Sequence, residues 1–166
     1  MTQANPVDTQ ATRLLAAAGV PYRLLPHTRP VFTVAEAAEQ RGVVAEEMVK
    51  SILLRESRSR RYVMACVLGP ARLDHRAVRA ALGADWGRLT FAGDEEIAAV
   101  TGYPKGAVNP LGLPATVPVI FDAPIAACRR VNISTGDLLF GLELDAADLI
   151  RLAGARLAAI SAPAEA

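Results

Sequence analysis

Two segments of this chain hold residues whose types and setting can do chemistry. The first is Val49-Lys50-Ser51-Ile52-Leu53-Leu54, where an ammonium sits inside an apolar run. The chain has sixteen arginines and only two lysines, Lys50 and Lys105, so a lysine here stands out against a strong preference for arginine. Lysine is a compact point charge whose pKa shifts on burial, and it is seldom buried without a partner. Lys50 therefore reads either as a fixed cation for an anionic ligand or as a stem lying along apolar surface with its head in water. Lys105 reads as a loop surface charge.

The second segment is Gly102-Tyr103-Pro104-Lys105-Gly106-Ala107-Val108-Asn109-Pro110-Leu111-Gly112. Three glycines and two prolines in eleven residues exclude both helix and strand. Glycine lets a ligand approach the backbone closely, and proline fixes the bends. Such a loop can aim several backbone N–H groups at an anion or a developing oxyanion. It can equally be a rigid surface turn. Ser134-Thr135-Gly136-Asp137 lies between two strand-like runs and reads as a hairpin turn. Ser134 lacks the Gly-x-Ser-x-Gly elbow of a nucleophile.

His27 and His75 have no spacing that suggests a metal site and read as surface or structural residues. Cys66 and Cys128 lie far apart in apolar runs and read as buried, inert thiols. No phosphate-binding loop or GxGxxG is present, so neither a metal nor a cofactor is expected.

These residues need elements to position them. Helices are expected over 8–19 with Asp8 as cap, 33–42 with Thr33 and Glu36 at capping-box spacing, 74–82, 94–100, and 145–153 with Asp145 as cap. A helical turn is expected over 45–49. Strands are expected over 20–25, 50–55, 61–68, 86–91, 117–121, 130–134, 138–144 and 155–160, with 50–55 and 61–68 joined as a hairpin. Helices and strands mix without strict βαβ alternation, which favours an α+β fold. At 166 residues the chain reads as a single domain over 1–166, with an ordered core over about 8–160 and frayed ends at 1–7 and 161–166.

Composition narrows the function classes. Apolar residues make up 52% and charged residues 21%, with a net charge of +1, which is the profile of a globular protein without a global nucleic-acid charge. No signal-peptide pattern or membrane-length apolar run is present, so the cytoplasm is the expected compartment. Arg55, Arg58, Arg60 and Arg61 cluster in the expected hairpin, and Arg72, Arg76 and Arg79 line a helix edge. These read as a solvated face or as phosphate contacts to a nucleic acid.

Taken in order, several segments resemble the YbaK/EbsC family, whose fold is also the editing domain inserted in many bacterial prolyl-tRNA synthetases. They are Val49–Leu53, Gly69 with Arg72-Leu73-Asp74, Thr101-Gly102-Tyr103, Gly106–Gly112, Asp122-Ala123-Pro124, Ser134 with Gly136, and Leu142-Glu143-Leu144. The resemblance covers roughly residues 10–160. It implies an α+β fold with a mixed, curved central sheet flanked by helices. It also implies a free-standing deacylase that hydrolyses the ester of a mischarged aminoacyl-tRNA, with tRNA-Pro as carrier and a small amino acid of the Cys or Ala type. A prolyl-tRNA synthetase is the implied partner. Lys50 is the implied catalytic residue. Substrate contacts are implied for Ser51, Gly102, Tyr103, Gly106, Ala107, Val108, Asn109, Pro110, Gly112, Ser134 and Gly136. The competing reading is a non-catalytic module that binds tRNA or an aminoacyl or nucleotidyl ligand. The chain departs from the cysteine-clearing subgroup in three places. Gly141 stands where that subgroup has Asp, Leu25 where it has Tyr, and Ser51 where Thr is usual. Leu25 and Gly141 together suit a less polar side-chain pocket.

Overall fold

The computed structural model describes residues 5–162. The long apolar run at 62–68 becomes the centre of the molecule. It forms β3 (Tyr62–Leu68), buried from Val63 to Val67 on both faces, as expected of a strand covered on two sides. Antiparallel to it runs β2 (Val49–Glu56), in the expected hairpin register that pairs Lys50 with Val67 and Leu53 with Met64. On the other side β3 pairs in parallel with β6 (Val119–Asp122), which pairs in parallel with β9 (Arg156–Ala158). The short β5 (Leu89–Phe91) closes the opposite edge against the end of β2. The result is a mixed five-stranded sheet.

A second, antiparallel sheet places β8 (Phe140–Asp145) between β1 (Arg23–Pro26) and β7 (Arg130–Ser134). Ser134 pairs with Gly141 across the expected hairpin turn. A two-stranded ribbon joins β4 (Arg72–Leu73) to β10 (Ser161–Ala162). Five helices flank the sheets: α1 (Gln10–Ala17), α2 (Val34–Arg41), α3 (His75–Leu82), α4 (Asp94–Thr101) and α5 (Ala146–Ala153). The fold is α+β with a mixed central sheet, as expected.

Strand alternation divides the core in two. Val49, Leu53, Met64, Cys66 and Phe121 face the second sheet and meet Val131, Ile133, Leu142 and Leu144. Leu54, Val63, Ala65, Val67 and Ile120 face the other way and meet Val78 of α3, Trp86 and Ile160. Each large buried side chain contributes about 1.5–3 kcal/mol of transfer free energy, so both faces of β3 fix the register of β2 and with it the place of Lys50.

The boundaries differ from the sequence expectation in instructive ways. Thr9, not Asp8, caps α1, because its hydroxyl accepts from the Thr12 amide while Thr12 answers the Thr9 amide. Asp145 makes no side-chain cap to α5. The strand expected over 20–25 starts only at Arg23, and the one expected from Trp86 starts at Leu89. Trp86 instead buries its ring under the Arg61 guanidinium, 3.8 Å from the ring centroid. The closing strand splits into β9 and β10, since Ile160 turns inward and its amide bonds the Asp122 carboxylate. Residues 1–4 and 163–166 of the expected frayed ends lie outside the described residues. Within them Val7 is buried and Ser161–Ala162 are paired.

Candidate functional site

The start of β2, the end of α2 and the 102–112 loop converge on a cavity of about 230 Å³. Its walls include Phe32, Thr33, Arg41, Lys50, Ser51, Gly106, Val108 and Ser134. Lys50 stands where the apolar face of β2 runs out. Ile52 and Leu54 continue that face into the core, whereas Lys50 Nζ donates to the Ala71 carbonyl at 2.6 Å. Burial lowers its pKa from the ordinary lysine value, with no carboxylate beside it to offset the effect.

The chain turn that receives Lys50 depends on Gly69. Its amide bonds the Met48 carbonyl at 2.8 Å, and the Ala45 carbonyl lies where a Cβ would stand. Only glycine permits that approach. On the opposite face of β2, Ser51 accepts from the Cys66 thiol at 3.5 Å. Burial drives the Cys66 thiol up to about 12, which leaves it inert. Cys128 departs from expectation in being half-exposed.

The loop divides into wall and scaffold. Gly106 and Val108 line the cavity, and neither backbone N–H has a hydrogen-bond partner among the described residues. Gly106 adopts φ +88°, and a Cβ there would meet Phe32 and Leu138 at 3.3 Å. The other proposed contacts lie away from the cavity wall. Gly102 is the left-handed cap of α4. Tyr103 is buried, its hydroxyl donating to the Leu111 carbonyl at 2.6 Å, and burial pushes its phenol up to about 12. Asn109, buried beside Ala107 and Pro110, accepts from the Leu111 amide at 3.0 Å. Gln10 of α1 bonds the Gly112 carbonyl. Gly136 packs against Tyr103 and Thr9. These residues tie the loop to α1 and α4 and hold the wall residues in place.

Two wall residues escaped the sequence reading. Phe32 is 69% exposed beside Gly106, an unusual setting for a large aromatic ring. Arg41 ends α2, which Gly42 terminates in the left-handed conformation. Its Nε donates to His27 Nε2 at 3.1 Å, Nη1 to Asn132 Oδ1 at 2.9 Å and Nη2 to Ser134 Oγ at 3.3 Å. His27 is held for this contact by its Nδ1, which donates to the Leu138 carbonyl at 3.1 Å. Its pKa is lowered, chiefly by burial and further by the Arg41 charge, against opposing pulls from the Leu138 carbonyl and Asp137. Burial also brings the Arg41 guanidinium down to about 10.

Arg41 corrects the expected pocket chemistry. The Gly141 Cα borders the guanidinium, so the space left by the missing side chain is filled by a cation and is not apolar. The cavity walls thus carry two cations and no carboxylate. Neither Lys50 nor Arg41 forms an ion pair among the described residues. Such a site fits a ligand bearing phosphate or ester oxygens. Lys105, by contrast, pairs with Asp94 at 3.3 Å on the exposed surface.

A second surface adjoins the cavity through Lys50. Arg72, Arg76, His75 and Phe91 line it, together with one acid, Asp74, whose carboxylate caps α3; Phe91 is exposed and packed edge-on to His75 at 4.8 Å. Arg76 and Arg88 continue it around the end of α3. Among the expected basic residues, Arg55 is instead committed to Glu96 at 2.6 Å and Arg61 to Trp86. Among the described residues no group of three acidic, His or Cys side chains could hold a metal, and no helix is long and apolar enough to cross a membrane.

This chain is similar to segments of proline–tRNA ligases and to solved structures of the same fold. It is 36% identical over 96 residues to a proline–tRNA ligase of Trichlorobacter lovleyi, a stretch that is 58% of this chain and 16% of the ligase. A proline–tRNA ligase of Pelobacter propionicus is 33% identical over 105 residues, covering 63% of this chain and 18% of the ligase. The chain therefore spans less than a fifth of the ligases it matches. The crystal structure of hypothetical protein APE2540 superposes with a TM-score of 0.82 at 27% identity, over 93% of this chain and 100% of that one. A candidate trans-editing enzyme for prolyl tRNA synthetase shares the fold with a TM-score of 0.76 at 24% identity, over 95% and 99% of the two chains. The family model for the aminoacyl-tRNA editing domain matches residues 28–152, and the chain belongs to that family.

Proposed function

We propose that this protein is a trans-acting deacylase that hydrolyses the ester of a small amino acid mischarged onto tRNA-Pro. The observation that carries this reading is a single cavity lined by Lys50 and by Gly106 and Val108, whose backbone amides have no partner among the described residues. Ester hydrolysis needs stabilisation of a tetrahedral oxyanion, and preorganised N–H groups supply it. Lys50 holds the terminal phosphate of the tRNA as a fixed positive charge. No carboxylate or imidazole lines the cavity, so the substrate's own hydroxyl or amine positions the water, and the protein contributes mainly orientation. Phe32 offers its exposed face to the terminal base, in the manner of aromatic platforms for unpaired nucleotides.

The basic surface with Phe91 beyond Lys50 gives the rest of the acceptor end a path. It is local, which matches a net charge of +1 and a need for help in holding tRNA. A prolyl-tRNA synthetase that has just released the mischarged product is the proposed partner, in the cytoplasm. The test is a panel of mischarged tRNA-Pro species with wild type, Lys50→Ala and Lys50→Arg. The expected result is hydrolysis by wild type and a loss of at least about 100-fold in kcat/KM in Lys50→Ala. Binding without hydrolysis across the panel makes the protein a binding module. An unchanged rate and unchanged affinity in Lys50→Ala removes the lysine from the site.

A further inference from the structure

We propose that Arg41 reads the amino-acid side chain, and that the cavity prefers a small side chain carrying an oxygen acceptor over its hydrocarbon isostere. This rests on the deacylase reading of the same cavity and adds the class of amino acid it clears.

The argument starts from the donor count. A guanidinium has five N–H groups. Three are engaged, with His27, Asn132 and Ser134, which leaves one on Nη1 and one on Nη2. All three partners are neutral, so the charge is solvated by dipoles and not cancelled. Arg41 lines the cavity together with Ser134, Ser51 and Thr33. A hydrocarbon side chain seated here strips water from two charged donors and returns nothing. An oxygen on the side chain replaces that water. A site with buried donors rejects the analogue that lacks the acceptor far more strongly than an apolar pocket rejects an added hydroxyl.

Gly141 makes the arrangement possible. A Cβ at this position would lie 2.7 Å from Arg41 Cζ and 2.8 Å from Cδ, closer than atoms can approach. Asn132 holds the other side: its Oδ1 takes Arg41, while its Nδ2 donates to the Glu47 carbonyl at 3.2 Å and so cannot turn away. The guanidinium is therefore aimed by three elements, α2, β7 and β8, and its spare donors are set before substrate arrives.

The experiment compares isosteric pairs. Transfer RNA specific for proline is charged with serine or alanine, with threonine or valine, and with aspartate, and kcat/KM is measured for wild type, Arg41→Met and Arg41→Lys. Wild type clears serine over alanine and threonine over valine by at least about 10-fold. Arg41→Met brings both ratios to about one, and Arg41→Lys restores part of the preference. An aspartyl rate above the seryl rate identifies the preferred acceptor as a carboxylate, and one below it as a hydroxyl; either is the oxygen the proposal requires. Equal clearance within each pair by wild type overturns the proposal, even if the methionine variant fails to fold. So does a uniform loss across all substrates in Arg41→Met, which is what a purely structural arginine gives. Hydrolysis without preference leaves the deacylase reading intact, whereas no hydrolysis of any charged tRNA removes both.

Discussion

Replacing Gly141 by alanine adds one methyl group to the central strand of the three-stranded sheet, where alanine is otherwise acceptable. Its backbone pairs with Leu25 on one side and Ser134 on the other, so the strand itself cannot shift. The new Cβ would overlap the Arg41 guanidinium, and the arginine must leave. Three hydrogen bonds go with it, to His27, Asn132 and Ser134. Bonds to a charged donor are each worth roughly 1.5–3 kcal/mol. The displaced head regains water in the open cavity, which offsets part of that sum and leaves a net cost of about 2–3 kcal/mol in all. For a chain of this length that lowers Tm by about 4–12 °C. Urea unfolding of wild type, Gly141→Ala, Arg41→Ala and the double variant completes a cycle that isolates the clash. The methyl group should cost most of its free energy when Arg41 is present and less than about 0.5 kcal/mol when it is not. The reasoning fails if Gly141→Ala costs the same in both backgrounds, or if it costs nothing in either.

Phe32→Ala should raise KM for charged tRNA about 5- to 100-fold while leaving kcat within a few-fold, the effect of losing one base–aromatic stack. A KM within twofold of wild type refutes the platform. Stability in acid should depend on Glu96. Its carboxyl is held down to about 2, first by the Gly93 amide, then by Arg55 and the Tyr62 hydroxyl. The folded pKa lies below the unfolded value of about 4.3, so the stabilisation is complete above that pH and lost as the pH falls toward 2. The urea midpoint of wild type should therefore drop more steeply between about pH 4.5 and 2 than that of Glu96→Gln. Parallel curves for the two proteins would count against this.

Much of the fold was legible because its signals are local. The run Tyr62–Leu68 has one reading as a strand buried on both faces, and the polar segment before it has one reading as a hairpin loop. Thr33 and Gly42 bracket α2 as a cap and a left-handed stop. Where competing local partners existed, the sequence misled. Asp8 and Thr9 can both cap α1, and the choice fell to Thr9 because Thr12 could reciprocate. Within the site, Lys50 and Gly106 were visible because a lysine in an apolar run and a glycine-rich loop are odd in themselves. The split of the 102–112 loop into wall and scaffold was not visible. It is decided by Gln10, which bonds the Gly112 carbonyl from the other end of the chain, and by Gly136, which packs against Tyr103.

Arg41 was hidden for a different reason. In sequence it is the last residue of a helix, where a cation normally faces the partial negative charge of the final carbonyls and needs no further account. Its partner in meaning lies a hundred residues away, at a position whose only sequence feature is the loss of a side chain. The two observations explain each other in space. A side chain at 141 and a guanidinium at its present place exclude one another sterically, so position 141 decides whether Arg41 can enter the wall. The volume beside Gly141 holds a guanidinium. A glycine here therefore neither empties the pocket nor makes it apolar. It admits a cation to walls that carry no carboxylate, so the spare donors of Arg41 have no charged partner of their own to satisfy them.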